Sequence, residues 1–386
     1  MSKSGWEEAK LGDIAQLVTA KSKPDAESRY IALEHINGEG SNSINGWASG
    51  SDYKSASVKF ENGDILFSKL RPYLNKVWQA EFDGFATGEA LVYRAFPEKV
   101  TQDFLYLILR SHDAVKYADD RSIGTRMPRI APKIMAEFTV NVPPLDVQPE
   151  IVDFMQALDH MIQAGDREIS SAEQMREDVL RTLLTDENDK WAEKPLMDVV
   201  NLQNGYAFKP KDLGTTGKPV VRIKQLFDPT ATVDHSDIDI PEKFWITTGD
   251  IIFTWSARID VAIWDRGDAY LNQHLFKVTT KDESVLSQDF TYMVIAEMIP
   301  RLTSHGTTMK HVTKTELNRQ LVYIPPLEEQ EKIVEKIQTL DTYIDSAKRS
   351  QEALKQVRQD ALHALLSGDK DVSEVAEMFA TDEDVA

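Results

Sequence analysis

The sequence predicts an α+β fold built from two repeated modules of mixed α and β structure, each followed by one long helix. Three observations predict it. The chain has 386 residues, more than the roughly 100 to 200 of a typical single domain. The second half repeats landmarks of the first in the same order. Each half then ends in a long segment with a helical stripe of apolar residues.

The two modules open alike and continue with the same turn and strand pattern. Residues 62–68 read NGDILFS and residues 248–254 read TGDIIFT, a turn and then an apolar run, which predicts a strand in each copy. The segments starting at Phe104 and Phe290 predict a helix in each copy. The repeated opening positions are Trp6, Leu11, Asp13 and Leu17, matched by Trp191, Leu196, Asp198 and Leu202.

The agreement is strongest at the end of each half. VPPLDVQ at 142–148 matches IPPLEEQ at 324–330, and identical residues then recur as far as Leu184 and Leu366. The double prolines favour an extended entry into a helix. We expect the helices to pack through apolar residues spaced mostly three and four apart, namely Ile151, Met155, Leu158, Ile162, Ile169, Ile333, Ile337, Leu340, Ile344 and Leu354.

A helix over 148–184 would be roughly 55 Å long at 1.5 Å per residue, and so narrow a stripe needs a partner. The other copy's helix is one candidate, and a different protein is another. The predicted domain scheme is a first recognition module at 1–147, a first helix at 148–185, a linker at 186–190, a second module at 191–329, a second helix at 330–367 and an acidic tail at 368–386.

The net charge of −19 argues at first against nucleic acid, because neutralising phosphates takes Lys and Arg. The acid is localised, however. Residues 1–140 carry 18 basic and 19 acidic side chains, and residues 190–321 carry 16 and 17. The segments 141–189 and 322–386 supply nearly all of the excess acid. Both modules therefore remain able to present basic surfaces.

Several classes of protein are excluded or disfavoured. The chain has no cysteine, so disulfides, thiolate metal sites and cysteine nucleophiles are excluded. No run of 18 or more apolar residues exists and the N-terminus lacks an apolar signal core, which predicts a cytoplasmic protein without membrane association. Phosphate-binding loops, the GxSxG elbow, the HExxH helix and the Asn-Pro-Pro-aromatic tetrad are all absent. The sequence therefore predicts no catalytic residues and no metal site.

Candidate DNA-contacting residues lie in two parts of the first module. Lys69 and Arg71 directly follow the predicted strand, and the segment 110–133 carries a local excess of positive charge. Lys and Arg neutralise phosphates, and Arg also recognises guanine. A solvated, mildly basic surface is the alternative interpretation. The candidates in that segment are Arg121, Arg126, Arg129 and Lys133.

The second module offers Trp255 and Arg258 after its strand, with Lys310, His311 and Lys314 further along. The alternative is that Trp255 belongs to the core and that Arg258 pairs with Asp260. Gln273 and His274 stand where the first copy has Gly88 and Glu89. The copies thus differ where two proteins that recognise different bases would differ, although simple drift explains the difference equally well.

Together these motifs resemble the specificity subunit of Type I restriction-modification enzymes. The resemblance rests on WEEAKLGDI at 6–14, on GDILF and GDIIF inside the modules, and on GTTM at 306–309 before IPPLEEQEKIV at 324–334. It covers nearly the whole chain apart from the acidic end.

The resemblance implies a non-catalytic DNA sequence-specificity subunit. Each module would recognise one half of a bipartite, asymmetric site in double-stranded DNA, and the helices would form an antiparallel coiled coil as a spacer. The implied partners are two modification subunits, which bind S-adenosylmethionine and methylate adenine, and restriction subunits with helicase and nuclease activity that use ATP and Mg²⁺. No cofactor is expected in this chain.

Other functions stay open at this point. An acidic interaction protein that mimics DNA would also be non-catalytic, and the recognition subunit of a related defence system outside Type I would share the modules. A self-contained methyltransferase is the enzymatic alternative. The first copy also departs from the family pattern at Val147 and Pro149 and at Gly165 inside its helix, and these departures argue against a fully regular first helix.

Overall fold

A computed structural model describes residues 5–53, 55–185, 191–303 and 312–380 of the chain. It divides into two compact units. Unit 1 comprises Met1–Arg167 and Arg349–Ala386, and unit 2 comprises Glu168–Lys348. Each unit therefore contains one module, the first half of the helix that follows it, and the second half of the other helix.

The module of unit 1 consists of short strands and helices. Its strands are β1 (Glu7–Lys10), β2 (Ala15–Leu17), β3 (Lys21–Ser22), β4 (Arg29–Ile31), β5 (Ala48–Ser49), β6 (Ser57–Phe60), β7 (Ile65–Ser68), β8 (Val77–Gln79), β9 (Gly84–Ala86), β10 (Ala90–Ala95) and β11 (Thr139–Val142). Its helices are α1 (Leu11–Ile14), α2 (Gln102–Arg110), α3 (His112–Asp120) and α4 (Pro132–Met135), and α5 (Gln148–Thr185) follows.

The module of unit 2 repeats this pattern. Its strands are β12 (Ala192–Pro195), β13 (Val200–Asn204), β14 (Lys218–Val221), β15 (Asp234–Ser236), β16 (Trp245–Ile246), β17 (Ile251–Ser256), β18 (Arg258–Ile263), β19 (Ala269–Leu271), β20 (Leu275–Thr280) and β21 (Leu321–Ile324). Its helices are α6 (Leu196–Val199), α7 (Ile223–Phe227), α8 (Gln288–Thr303) and α9 (Lys314–Asn318); α10 (Leu327–Ser367) and α11 (Val372–Ala380) come next in the chain.

The sheets confirm the predicted repeat. An antiparallel sheet with the order β2-β10-β7-β8 in unit 1 corresponds to β13-β20-β17-β18 in unit 2. A second sheet in each unit contains one parallel pair, β4 with β9 and β14 with β19. The predicted strands at 65–67 and 251–253 are β7 and β17, and the predicted module helices are α2 and α8. These strands form because runs such as Ile65, Leu66 and Phe67 are fully buried between layers.

The repeated Gly-Asp motif has a structural reason. Gly63 and Gly249 adopt φ of 91° and 96°, which glycine tolerates without a Cβ penalty. Asp64 is buried and paired with Arg94 at 2.7 Å, and Asp250 is paired with Lys277 at 2.7 Å. The motif therefore makes the turn that starts the central strand of each module.

Each long helix is continuous within its bounds. Gly165 does not interrupt α5, so the expected irregularity is wrong. A Cβ on Gly165 would lie 2.2 Å from Oε1 of Gln351, and Gln351 donates to the carbonyl of Ile162 at 2.6 Å. The glycine makes room for this contact. Pro149 occupies the first turn of α5, where its missing N–H costs no helical hydrogen bond.

Within each unit the two helix segments run antiparallel, as the resemblance implied. In unit 1, Asp159 pairs with Arg358, and Asp166 with Lys355 at 3.1 Å. In unit 2, Glu173 pairs with Lys348 at 2.7 Å. Of the predicted packing residues, Ile151, Met155, Leu158, Ile333, Ile337 and Ile344 are buried, and Ile162, Ile169, Leu340 and Leu354 are half-buried.

The ends of the helices join the module cores. Leu362 and Leu365 of α10 lie in the core cluster of unit 1, together with Ile151 and Met155 of α5. Leu180 and Leu184 of α5 lie in the core cluster of unit 2. Each fully buried Leu or Ile contributes about 1.5–3 kcal/mol. Each module is therefore packed against both helices.

The domain scheme predicted from the sequence remains a prediction. Helix α5 has the bounds expected for the first helix, and α10 is already formed at Leu327, ahead of residue 330. Within the acidic tail, α11 buries Val375 in the core of unit 1. The linker 186–190 and residues 381–386 lie outside the described residues.

Candidate nucleic-acid interface

Two loops of the first module meet beyond the end of β7. Ile130 donates its backbone N–H to the carbonyl of Lys69 at 3.0 Å, and Arg71 donates its own to the carbonyl of Pro128 at 2.8 Å. Leu70 and Arg129 form an isolated bridge. The structure thus brings Lys69 and Arg71 together with the segment that carries Arg126 and Arg129, which the sequence presented as separate clusters.

Arg71 connects these two loops. Its φ of 50° lies in the left-handed region, which costs a non-glycine residue energy and is sustained only by its surroundings. Its Nη2 donates to the carbonyl of Arg126 at 3.3 Å. Arg71 as a whole is half-buried. Arg71 therefore fixes the loop that carries Arg126.

Arg129 is held by a carboxylate. Its Nε donates to Oε2 of Glu89 at 3.0 Å and its Nη1 to the carbonyl of Met127 at 3.1 Å. The two side chains of the ion pair are 41% and 34% exposed, so the pair contributes at most about 1 kcal/mol to stability. Its main effect is to orient the arginine fork.

The remaining predicted cations of this module have different surroundings. Arg121 lies over the ring of Tyr117 at 3.9 Å, and Lys133 is exposed on α4. Arg126 is exposed at the loop tip, where Ile123 and Met127 are exposed as well. Arg126 is thus the best presented of the predicted arginines for an incoming phosphate or base.

The second module repeats this frame with other side chains. Val312 donates to the carbonyl of Trp255 at 3.0 Å, as Ile130 does to that of Lys69. Ala257 has φ of 61° and takes the place of Arg71. Arg258, the arginine that the sequence paired with Arg71, follows Ala257 and already belongs to β18.

The surroundings of Trp255 and Arg258 agree in part with the alternative that Trp255 belongs to the core and that Arg258 pairs with Asp260. Trp255 is half-buried, with its ring centroid 6.0 Å from that of Phe276. Arg258 pairs with Asp260 at 2.6 Å and lies over Phe227 at 3.7 Å. Lys314 is exposed and donates to the carbonyl of Leu202 at 3.3 Å. Lys310 and His311 lie outside the described residues.

Two buried glutamines have a structural role that the sequence did not predict. Gln148 accepts the backbone N–H of Thr101 at 2.7 Å and donates to the carbonyls of Lys99 and Pro143. Gln330 accepts the N–H of Ser287 at 2.9 Å and donates to two carbonyls in the same way. Both are 0% exposed. Their recurrence after Pro-Pro-Leu in both copies was the available signal.

A buried charge cluster in unit 1 joins the module to both helices. Arg110 of α2 binds Asp159 of α5 at 2.6 Å and 3.2 Å, and Asp159 also binds Arg358 of α10. Burial alone would raise the pKa of Asp159, but the guanidinium groups of Arg110 and Arg358 hold it below its ordinary value. In unit 2 the corresponding pair is Asp341 with Arg176.

Two classes of site are missing from the described part of the chain. No group of histidine and carboxylate side chains there has a geometry that could hold a metal ion. In addition, none of the described helices combines the length and the apolar character needed to cross a bilayer.

A family model, described as the Type I restriction modification DNA specificity domain, matches residues 3–173 and again residues 188–356. The chain belongs to this family. The two matches coincide with the predicted duplication, and they confirm that the chain is a DNA specificity subunit whose role is recognition. Neither the DNA mimic nor a recognition subunit outside Type I is favoured.

Named relatives of the chain are specificity subunits as well. It is 29% identical over 189 residues to the Type I restriction enzyme EcoBI specificity subunit of Escherichia coli, an alignment that covers 47% of this chain but only 40% of that protein. It is 20% identical to the MjaVIII specificity subunit of Methanocaldococcus jannaschii, over 94% of this chain and 92% of that one.

Solved structures support the fold. A chain from a structure concerning complex assembly and conformational transition of the type I R-M system aligns with a TM-score of 0.68 and 17% identity, over 95% of this chain and 98% of the other. The S subunit from M. genitalium aligns with a TM-score of 0.51 and 13% identity, over 94% and 96%. At these identities the likeness is one of fold.

Proposed function

We propose that this specificity subunit recognises a bipartite, asymmetric site in double-stranded DNA, with each module contacting one half-site. One observation carries the proposal: the two modules share the same backbone arrangement and differ in the side chains at the ends of β7 and β17. The buried glutamines and the Asp–Arg pairs of the helices are the same in both copies. The residues around the ends of β7 and β17 are not, with Lys69 and Arg71 in one and Trp255, the last residue but one of β17, and Ala257 in the other.

The proposed DNA-contacting residues are those predicted from the sequence. In the first module the arrangement favours Arg126 for direct contact, with Arg71 and Arg129 supporting the loop, because their side chains are already bonded within the protein. In the second module Trp255 and Arg258 occupy the corresponding tip. The full proposed set is Lys69, Arg71, Arg121, Arg126, Arg129, Lys133, Trp255, Arg258, Lys310, His311 and Lys314.

The chemistry belongs to partner subunits in this proposal. Two modification subunits would bind S-adenosylmethionine and methylate adenine, and restriction subunits would use ATP and Mg²⁺. The acidic faces of the spacer helices would then contact the protein partners, and the tips of the modules would contact DNA. The proposal also includes the domain scheme given above and a cytoplasmic location, where the target DNA lies.

Reconstitution with the modification subunit tests this proposal. We expect the complex to methylate a duplex containing the bipartite target much faster than a duplex of the same composition with scrambled half-sites. Salt should weaken binding to both duplexes, since phosphate contacts are independent of sequence. Equal rates on the two duplexes would refute the proposal.

A further inference from the structure

A β-turn precedes strand β10 in the first module and strand β20 in the second. The strand registers show that the two turns occupy equivalent positions: Ser68 is opposite Ala90, and Thr254 is opposite Leu275. The turns therefore comprise residues 87–90 and 272–275. The first turn lies beside the tip described above, because Lys69 donates its backbone N–H to the carbonyl of Glu89 at 3.0 Å. The second turn lies beside Trp255, whose ring contacts that of His274.

Both turns have the same backbone anchors. Each closes with a backbone hydrogen bond of 3.0 Å, from Ala90 to Thr87 and from Leu275 to Asn272. Each also starts from the neighbouring sheet: Thr87 donates to Ile31 at 2.9 Å, and Asn272 donates to Val221 at 3.1 Å. The backbone scaffold is thus constant, while the two central side chains change from Gly88 and Glu89 to Gln273 and His274.

The turn of the second module presents polar side chains. Gln273 and His274 are both exposed. The ring of Trp255 lies 5.9 Å from that of His274, and the backbone N–H of Gln273 donates to the carbonyl of Tyr206 at 3.0 Å. Two exposed hydrogen-bonding groups therefore lie on a fixed backbone between aromatic residues.

The turn of the first module is chemically different. Glu89 is bonded to Arg129, so this carboxylate serves to orient a guanidinium fork. An arginine fork suits the O6 and N7 acceptors of guanine, whereas a glutamine amide suits the N6 donor and N7 acceptor of adenine. The same backbone position would then favour different bases in the two modules.

From this geometry we infer that the turn 272–275 is a base-recognition element and that Gln273 contacts the adenine of an A·T pair in the major groove. The inference rests on the proposed function and extends it to a residue and a base. His274 is a positioning residue: its Nε2 lies 3.4 Å from the Gln273 amide nitrogen. When this ring nitrogen accepts one amide N–H of Gln273, the second amide N–H and the amide oxygen are left for the base.

Three substitutions in the complex reconstituted with its modification subunit test the inference. The substrates are duplexes that each carry one changed base pair in the target. Gln273→Ala should reduce discrimination at one position of one half-site by roughly 5- to 150-fold. Gln273→Glu should shift the preference at that position towards C·G, because a carboxylate accepts from the cytosine N4 amino group. His274→Ala should weaken discrimination at the same position.

The matched control is Gln288→Ala, which removes a glutamine of the same module at the opposite end of β17, where it donates to Gly249. The complex that carries Gln288→Ala should have the same base preference as the wild-type complex. An unchanged preference profile for both Gln273 variants would overturn the inference, and so would an equal loss at every position of both half-sites. Failure of the wild-type complex to prefer any sequence would instead overturn the proposed function.

Discussion

At the scale of single residues, the buried glutamines show how each module is fixed to its helix. Gln148 and Gln330 each satisfy one backbone N–H and two carbonyls at the junction of helix, proline turn and module. Buried backbone groups without partners are costly. A single side chain therefore determines how the helix leaves the module.

Replacing Gln148 should destabilise unit 1. Gln148→Ala leaves the N–H of Thr101 and two carbonyls buried without this partner, and we expect a loss of about 1–3 kcal/mol in the free energy of unfolding for each unmet group that water does not reach. Urea denaturation measures it. Gln163→Ala, on the exposed face of the same helix, is the control, and equal stabilities of the two variants would contradict the assigned role.

The charge cluster around Asp159 gives a prediction for pH. Asp159→Asn leaves Arg110 and Arg358 buried without their counter-charge and should cost about 3–5 kcal/mol at neutral pH. Since the folded pKa of Asp159 lies below its ordinary value, this stabilisation is present above about pH 4 and is lost as the pH falls through the lowered pKa.

Unfolding by urea at neutral and at acidic pH tests whether the stabilisation by Asp159 decreases as the pH falls. The difference between wild type and Asp159→Asn should shrink on acidification, while the exposed Asp153→Asn should have little effect at either pH. A difference that is independent of pH would show that the carboxylate does not provide the stabilisation.

The sequence indicated which residue types the loops carry, but it did not indicate which residues contact one another in space. The Arg126 and Arg129 segment was recognised as basic, but its contact with Arg71 depends on backbone hydrogen bonds between loops far apart in the chain. The sequence paired Arg258 with Arg71, whereas the left-handed residue that takes the place of Arg71 in the backbone is Ala257. Backbone conformation at a loop tip has no periodic signal in the sequence.

At the scale of elements, the long helices were predictable because their stripe is a local pattern. Apolar residues three and four apart occur on one face whatever the tertiary structure. The irregularity expected at Gly165 was wrong for the opposite reason: the space that the glycine provides is filled by Gln351, which is remote in sequence. The half-buried Ile162 and Leu354 likewise show that the stripe alone does not give the degree of burial.

If the helices act as the spacer, their length should set the gap between half-sites. Matched insertion of one helical turn in α5 and in α10 adds about 5.4 Å, which corresponds to roughly one or two base pairs at 3.4 Å per step. Methylation of duplexes with graded gaps measures the preferred spacing. A preferred gap identical to that of the wild type would refute the spacer role.

At the scale of the whole molecule, the duplication explains why the helices agree so much better between copies than the modules do. Each unit uses the start of one helix and the end of the other, so residues such as Leu180 and Leu362 perform the same packing role in different units. Both helices must therefore keep both sets of contacts. The tips have no such shared constraint, and they carry different side chains.

Methylome sequencing of cells that express the modification subunit with this chain, or with a variant in which only residues 191–326 are replaced by a foreign module, tests the central claim most directly. The account predicts a bipartite methylated motif for the wild type. In the variant, one half-site should change while the other half-site and the gap remain. A motif altered in both halves, or in neither, would contradict it.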